Sequence, residues 1–295
     1  MIIKEIVTKN IITKSNLPVC DYSVNAYTGC GHACKYCYAS FMKRFTGHTE
    51  PWGTFIDIKN WEQIKNKDKF KDKELFFSSV TDPYQPVEEE YKRTRKILEE
   101  LQGSGAIVSI STKSDLILRD LDLIKTFKNA QVSFSINTLD ENFKNDMDKA
   151  VSIERRLNAM KKFYEAGVYT TCFISPIFPE ITNCIDIIEK CKNYCNSVWL
   201  ENLNLRGEYK PVILNYIKNT YPHFLPLYKD IYNNGDRTYW TNLNQKIKDY
   251  CKLQNMPYLR ENKIINSKFG TPPTVINFFY HEEIKKSAQK VNSLN

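Results

Sequence analysis

From Leu75 to Leu203 short apolar runs alternate with segments of helical spacing, and this alternation restricts the fold more than any other feature of the chain. Leu75 to Val80 is an apolar run bounded by polar residues and reads as a buried strand. Val87 to Leu101 carries apolar residues at helical intervals and ends at Gly103. Ala106 to Ser111 is the next strand, and Asp115 to Phe127 the next helix, with Ser114 as its N-cap. Strands over Val132 to Ile136, Val168 to Ile174 and Ser197 to Leu203 follow. Between them lie helices over Ser152 to Ala166, closed by Gly167, and over Ile181 to Cys195, after Pro179. A further short strand near Tyr22 to Ala26 precedes them. Strands alternating with helices predict parallel βαβ units, here an open, partial (β/α)6 TIM barrel. Right-handed crossovers place all strand C-terminal ends on one rim, where barrel folds keep their active sites.

The loop after the first of these strands, NAYTGCGHACKYCYASF, holds Cys30, Cys34 and Cys37 in the spacing C-x3-C-x2-C. Three thiolates on one short loop hold three irons of a [4Fe–4S] cube and leave the fourth iron without a protein ligand. An open metal position is a reaction site. Gly29 and Gly31 flank the first cysteine, where a loop wrapping a cluster needs unusual backbone angles. Tyr36 precedes the last cysteine and suits a cover over one side of the cluster. The competing reading is a zinc site made by the three cysteines with His32 or His48. Zinc sites usually pair C-x2-C units with a second, distant pair, and none is evident.

Each strand end offers polar groups to the rim. Ser78, Ser79 and Asp82, in SSVTDPYQP, are acceptors for an ammonium or ribose, although Asp82-Pro83 is also an ordinary turn signal. Lys113, in SISTKSD, suits a carboxylate partner or an exposed helix start. Ser133, Ser135 and Asn137 fall on one face of their strand and suit a sugar or amino-acid ligand, or a tight barrel interior. The run FISPIFP, with Ile174 at its centre, presents apolar surface for an adenine. Glu201, Asn202, Asn204 and Arg206 follow the last strand and are the substrate-side candidates, since charges directly after an apolar strand are costly unless exposed or paired.

With 295 residues, 42% of them hydrophobic, the chain can bury a substantial core. Nine cysteines without a signal peptide point to the reducing cytoplasm, and no apolar run has the length of a membrane span. The net charge of +8 suits an anionic partner such as nucleic acid. The mixed-sign stretch Lys65 to Glu74 reads as a solvated face. Residues 205–295 break the alternation. Helices are expected over Pro211 to Tyr221, Pro226 to Asn233, Asn242 to Gln254 and Glu282 to Val291, with a β-like run over Thr274 to Phe279. We read two parts, a barrel over 1–204 and a mainly helical cap or side wall over 205–295.

The ordered set TGC-x3-C-x2-CYA, TDPYQP, STKSD, FSIN, ERRL-to-EAGV and SPI resembles the spore photoproduct lyase-like branch of the radical S-adenosylmethionine (radical SAM) superfamily, over about residues 22–204. The resemblance implies a [4Fe–4S] cluster on the three cysteines and SAM chelated by the open iron. It also implies reductive cleavage of SAM to a 5′-deoxyadenosyl radical and hydrogen abstraction from a substrate. Lys113 and Ser135 match residues that contact SAM in the lyase, and Asn137 and Arg156 are further cofactor candidates. The lyase returns a hydrogen atom from a cysteine, for which Cys172 is the candidate here, although strand alternation also suits burial of Cys172. Such enzymes take an electron from a flavodoxin- or ferredoxin-like donor. The substrate expected from the branch and the charge is nucleic acid. The alternatives are radical modification of a peptide, protein or small molecule, favoured by the unmatched region 205–295, and a non-catalytic zinc or cluster-binding module. Cys184, Cys191 and Cys195 share one helix face and are expected in the core.

Overall fold

A computed structural model describes residues 1–17, 19–260 and 272–279. The helix expected over Glu282 to Val291 lies outside the described residues. The strands are β1 (Ile2–Val7), β2 (Ile12–Lys14), β3 (Tyr22–Val24), β4 (Tyr27–Thr28), β5 (Phe55–Asn60), β6 (Glu74–Phe77), β7 (Ile107–Thr112), β8 (Ala130–Ser135), β9 (Tyr169–Ile177), β10 (Ser197–Asn202), β11 (Tyr258–Arg260) and β12 (Thr274–Asn277). The α-helices are α1 (Glu88–Tyr91), α2 (Arg93–Leu101), α3 (Leu121–Ile124), α4 (Glu141–Met147), α5 (Ile153–Glu165), α6 (Cys184–Cys191), α7 (Tyr209–Thr220), α8 (Leu225–Lys229) and α9 (Thr238–Leu253).

Six strands, β3, β6, β7, β8, β9 and β10, pair in parallel and lie in chain order, which is the partial TIM barrel. Parallel neighbours require crossovers, and helical segments after β6 to β9 provide them. The sheet does not stop at these six. After β10 come β12 and then β11, both parallel, and β2 pairs antiparallel to β3 at the other edge. Two strands from beyond residue 204 therefore widen the barrel sheet itself. A separate small sheet, β1-β5-β4, carries the start of the cysteine loop. It is not evident in the sequence pattern, because β1 and β5 are about fifty residues apart and are joined only by pairing.

Successive strand residues point to opposite faces. Leu75, Phe77, Val108, Ile110, Val132, Phe134, Cys172, Ile174, Val198 and Leu200 belong to one core. The helix residues Ile97, Leu98, Leu101, Ala159, Met160, Phe163, Ile187 and Ile188 join them there. The alternate residues Phe76, Ser109, Ser111, Ser135, Phe173, Ser175, Trp199 and Glu201 line a cavity on the other face. The lumen is thus lined by hydroxyls and aromatic rings, unlike the branched apolar filling usual in a closed barrel.

Three helices depart from the sequence pattern. The one expected over Asp115 to Phe127 is a 3-10 helix over Asp115–Asp120 and α-helical only over Leu121–Ile124. The helix expected over Val87 to Leu101 is broken at Lys92, which adopts a left-handed conformation with φ +50°. The cause is Glu88. Its fully buried carboxylate accepts from the amides of Thr94 (2.9 Å) and Arg95 (3.2 Å) and so starts α2 as a new helix. Arg119 (2.6 Å) and the Tyr27 hydroxyl also bond to it. The helix expected over Ile181 to Cys195 is shorter, because the Asn183 side chain caps α6 by accepting from the Asp186 amide. The N-cap expected at Ser114 forms (3.2 Å), and the Ser152 hydroxyl also caps α5 (3.3 Å). No helix among the described residues is long and apolar enough to cross a membrane.

Two stability measurements follow. Replacing Glu88 by Ala leaves the Thr94 and Arg95 amides without their acceptor and removes one partner from Arg119, which keeps Asp120, and should cost about 2–4 kcal/mol in denaturant unfolding. Glu74, at the floor of the lumen beside Ser109, is raised to about 7 by burial and by Asp21. Its folded value exceeds the unfolded one near ~4.3, so the folded chain binds the extra proton and stability falls as pH rises between them. Glu74→Gln should therefore stabilise the protein at pH above about 7 and leave it unchanged at pH near ~4, in unfolding curves taken at both.

Candidate functional site

The lumen cavity, about 1110 Å³, opens at the C-terminal rim, and Cys30, Cys34 and Cys37 form part of its wall. Gly29 allows the loop to reach this wall. Its φ is +89°, and a Cβ there would lie 2.2 Å from the Phe55 carbonyl oxygen. Further on, the loop is tied to the end of α4, where the Lys35 amide donates to Met147 O (2.9 Å) and the Lys149 amide to His32 O (2.8 Å).

The donor set fits an iron–sulfur cluster better than a single ion. Among the described residues no three His, Cys, Asp or Glu side chains converge closely enough to hold one metal ion. A mononuclear zinc needs that convergence, whereas a cube spreads its cysteines over separate irons. His48 is otherwise engaged, with Nε2 on Asp57 (2.9 Å), Nδ1 on Glu50 (3.1 Å) and its ring stacked on Phe55. His32 Nε2 lies 3.2 Å from an Asp82 oxygen, an ion-pair distance without hydrogen-bond alignment. Burial pushes the thiols of Cys30 and Cys37 up and that of Cys34 to about 12. Thiolates here need positive charge beside them, which a bound metal cluster supplies.

Lys113 also lines the cavity, with Nζ 5.8 Å from the centre of the Tyr36 ring. Burial opposes its charge, but Cys34, Asp148 and Asp82 outweigh burial and hold the ammonium more firmly than in a free lysine. Asp82 fixes the backbone beneath it. Its carboxylate accepts from the Lys113 amide (2.8 Å) and the Thr112 hydroxyl (2.7 Å). Burial alone would raise Asp82, yet His32 and these donors hold it down to about 2. Ser78 and Ser135 line the cavity with it.

Other candidates sit elsewhere. Arg156 is fully buried beneath the rim and braces it, bonding Asp148 (2.9 Å) and the Ser135 carbonyl (3.2 Å). Tyr36 donates to the same Asp148 (3.1 Å). Ser79 does not line the cavity; it bonds Asn25 (2.8 Å) and accepts from Tyr38. Asn137 is buried outside the lining, its carbonyl held by Thr182 (2.8 Å). Cys172 and Ile174 face the helical layer, within the core, and their neighbours Phe173 and Ser175 face the cavity. This placement separates Cys172 from the hydrogen-return role and Ile174 from the adenine-holding role expected for them. Cys184, Cys191 and Cys195 are also in the core.

On the far wall Glu201 accepts from the Ser175 hydroxyl (2.5 Å), and Arg206 donates to Asn204 (2.9 Å). Asn202 is buried there, with Oδ1 lacking a protein partner. At the mouth Tyr38, Phe41 and Phe45 are 58%, 42% and 67% exposed, and the Arg44 guanidinium lies over Phe41 (5.5 Å) and Phe45 (4.7 Å). Sequence reasoning missed Asp148, which carries no motif, and Gln85. The latter lies within the quoted TDPYQP run, but its partners become visible only in the fold.

The model of the Radical SAM superfamily matches residues 24–191. An uncharacterized protein of Methanocaldococcus jannaschii is 39% identical over 223 residues, covering 74% of this chain and 83% of that one. Among solved structures, spore photoproduct lyase complexed with dinucleoside spore photoproduct matches with a TM-score of 0.54 and 18% identity, over 75% of this chain and 66% of that one. Streptococcus suis SuiB bound to precursor peptide SuiA matches with a TM-score of 0.52 and 14% identity, over 86% and 48%. These two likenesses concern the fold. The chain therefore belongs to the radical SAM superfamily of enzymes, and SAM with an iron–sulfur cluster is the cofactor pair that membership implies.

Proposed function

We propose that this chain is a radical SAM enzyme whose Cys30, Cys34 and Cys37 hold a [4Fe–4S] cluster and whose substrate is a component of nucleic acid. The observation that carries the reading is one cavity shared by the three cysteines, Lys113 and the polar far wall. At about 1110 Å³ it exceeds the about 300–1,000 Å³ of ordinary small-molecule sites, which leaves room for SAM and a nucleotide-sized group together. When bound, the cluster and SAM supply one electron and a 5′-deoxyadenosyl radical for hydrogen abstraction.

The chain's own residues orient and enclose. Lys113 offers an ammonium to the SAM carboxylate, with its backbone held by Asp82. Ser78 and Ser135 offer hydroxyls from neighbouring strand ends. Tyr36, pinned by Asp148, covers one side of the cysteine loop. Arg156 and Asn137 support this wall from beneath. Glu201, Asn202, Asn204 and Arg206 meet the substrate, and the walls between exclude water. In this reading residues 1–204 carry the cofactors and the region after 205 completes the substrate side. The electron arrives from a flavodoxin- or ferredoxin-like donor in the cytoplasm.

The nucleic-acid reading is supported by the mouth, where exposed aromatic rings and Lys43, Arg44 and Arg206 combine stacking surface with positive charge. A dinucleoside lesion bound by a protein of like fold points the same way. The peptide reading rests on the acceptors Glu201 and Asn202 on the far wall and on the fold shared with a precursor-peptide enzyme.

The test is anaerobic reconstitution with SAM and a reductant, followed by mass-spectrometric measurement of 5′-deoxyadenosine. Cys34→Ala should abolish both the product and the visible absorption of the cluster; retention of either removes the cluster assignment. Single-stranded oligonucleotides should accelerate cleavage in a salt-sensitive way. Acceleration by peptides alone would transfer the substrate to the second reading.

A further inference from the structure

We propose that Gln85 is a positioning residue that holds the Cys30 end of the cysteine loop in register with Lys113. The proposal rests on the cluster-and-SAM reading of the site. Gln85 is fully buried, lies outside the cavity lining, and has no part in the reaction as described above.

Its amide is turned onto the backbone on both sides of Cys30. Oε1 accepts from the Gly31 amide (2.7 Å). Nε2 donates to the Gly29 carbonyl (3.2 Å) and to the Thr81 hydroxyl (3.0 Å). The Thr81 hydroxyl donates to the same Gly29 carbonyl (2.6 Å). Here the chain has left β4 and turns at Gly29 with φ +89°, so these backbone groups need partners from elsewhere. The contacts of Lys35 and Lys149 with the α4 region hold the later part of the loop. Gln85 and Thr81 hold its beginning.

The same short segment also fixes the backbone of Lys113. Asp82, between Thr81 and Gln85, accepts from the Lys113 amide, the Thr112 hydroxyl and the Tyr84 amide (2.8 Å). Residues 81–85 therefore bond the first cysteine's flanks with the side chains of Thr81 and Gln85 and the Lys113 backbone with that of Asp82. Glu88 anchors the segment's far end in the core. The distance between the metal-binding loop and the ammonium that faces SAM is set by this segment, and Gln85 is its contact on the loop side. A ligand held at both points is sensitive to small displacements of either.

The experiment uses reconstituted, reduced protein and follows the electron paramagnetic resonance of the cluster as SAM is added, with iron content and thermal unfolding recorded in parallel. Gln85→Leu should retain the cluster and require about tenfold more SAM for the same spectral change, the loss expected for buried bonds removed at one point. Gln85→Glu keeps the acceptor for Gly31 and loses both donated bonds, so its titration should fall between the two. A Gln85→Leu protein that titrates like wild type overturns the proposal. So does a SAM response that declines only in proportion to unfolding, since that marks a purely structural role. Should Gln85→Leu fail to fold, a wild-type titration by Gln85→Glu overturns it equally. A wild-type cluster signal that ignores SAM overturns the cofactor reading and the proposal with it. A wild-type signal that responds, with unchanged variants, overturns the proposal alone.

Discussion

Parallel pairing of six neighbouring strands is the constraint on which the molecule depends. Each strand must satisfy two different neighbours, the helices outside and the lumen inside. The period-two geometry of a strand meets both demands by assigning odd and even residues to different chemistry. In β7 this puts Val108 and Ile110 into the core and Ser109 and Ser111 onto the cavity. In β9 it puts Cys172 and Ile174 outward and Phe173 and Ser175 inward. The outer set drives folding by burial of apolar surface. The inner set leaves a space edged by hydroxyls and aromatic rings that the core does not need to fill.

Buried carboxylates convert that scaffold into a shaped rim. Asp82, Glu88, Asp120 and Asp148 all lie below the surface in segments that are neither strand nor regular helix interior. Each collects several donors. Asp120, for example, takes Arg95 (2.6 Å), Arg119 (2.9 and 2.8 Å) and Tyr84 (3.2 Å). Irregular backbone near a barrel mouth has few ladder partners, and charged side chains with multiple hydrogen bonds supply them. Leaving one such carboxylate unpaired would be costly, so the set specifies one arrangement of the loops around the cavity. The cysteine loop is tied to this arrangement through Tyr36 on Asp148 (3.1 Å) and His32 beside Asp82 (3.2 Å).

How much of this is legible in the sequence depends on the range of the interaction. The alternation of strands and helices is local, and the six barrel strands appear within a few residues of where apolar periodicity puts them. The division of Val87 to Leu101 into two helices is not local, since Glu88 caps α2 only while Tyr27 and Arg119 hold it in place. The sheet of β1 and β5 is invisible for the same reason. At the site, the cysteine triplet and Lys113 stand out by spacing and by position after a strand. Arg156 and Asn137 look equally well placed in the sequence, yet helix packing turns one beneath the rim and buries the other outside the lining.

The sequence by itself determined the period of each element, the order of the strands and the placing of three cysteines on one loop. All of these depend on residues close together in the chain. Only the tertiary structure decided which residue of each rim loop faces the cavity. It placed Phe173 and Ser175 there rather than Cys172 and Ile174, and it brought Gln85 to the flanks of Cys30, more than fifty residues earlier. Those outcomes follow from strand register and from hydrogen bonds between distant segments, and neither leaves a periodic trace in the local sequence.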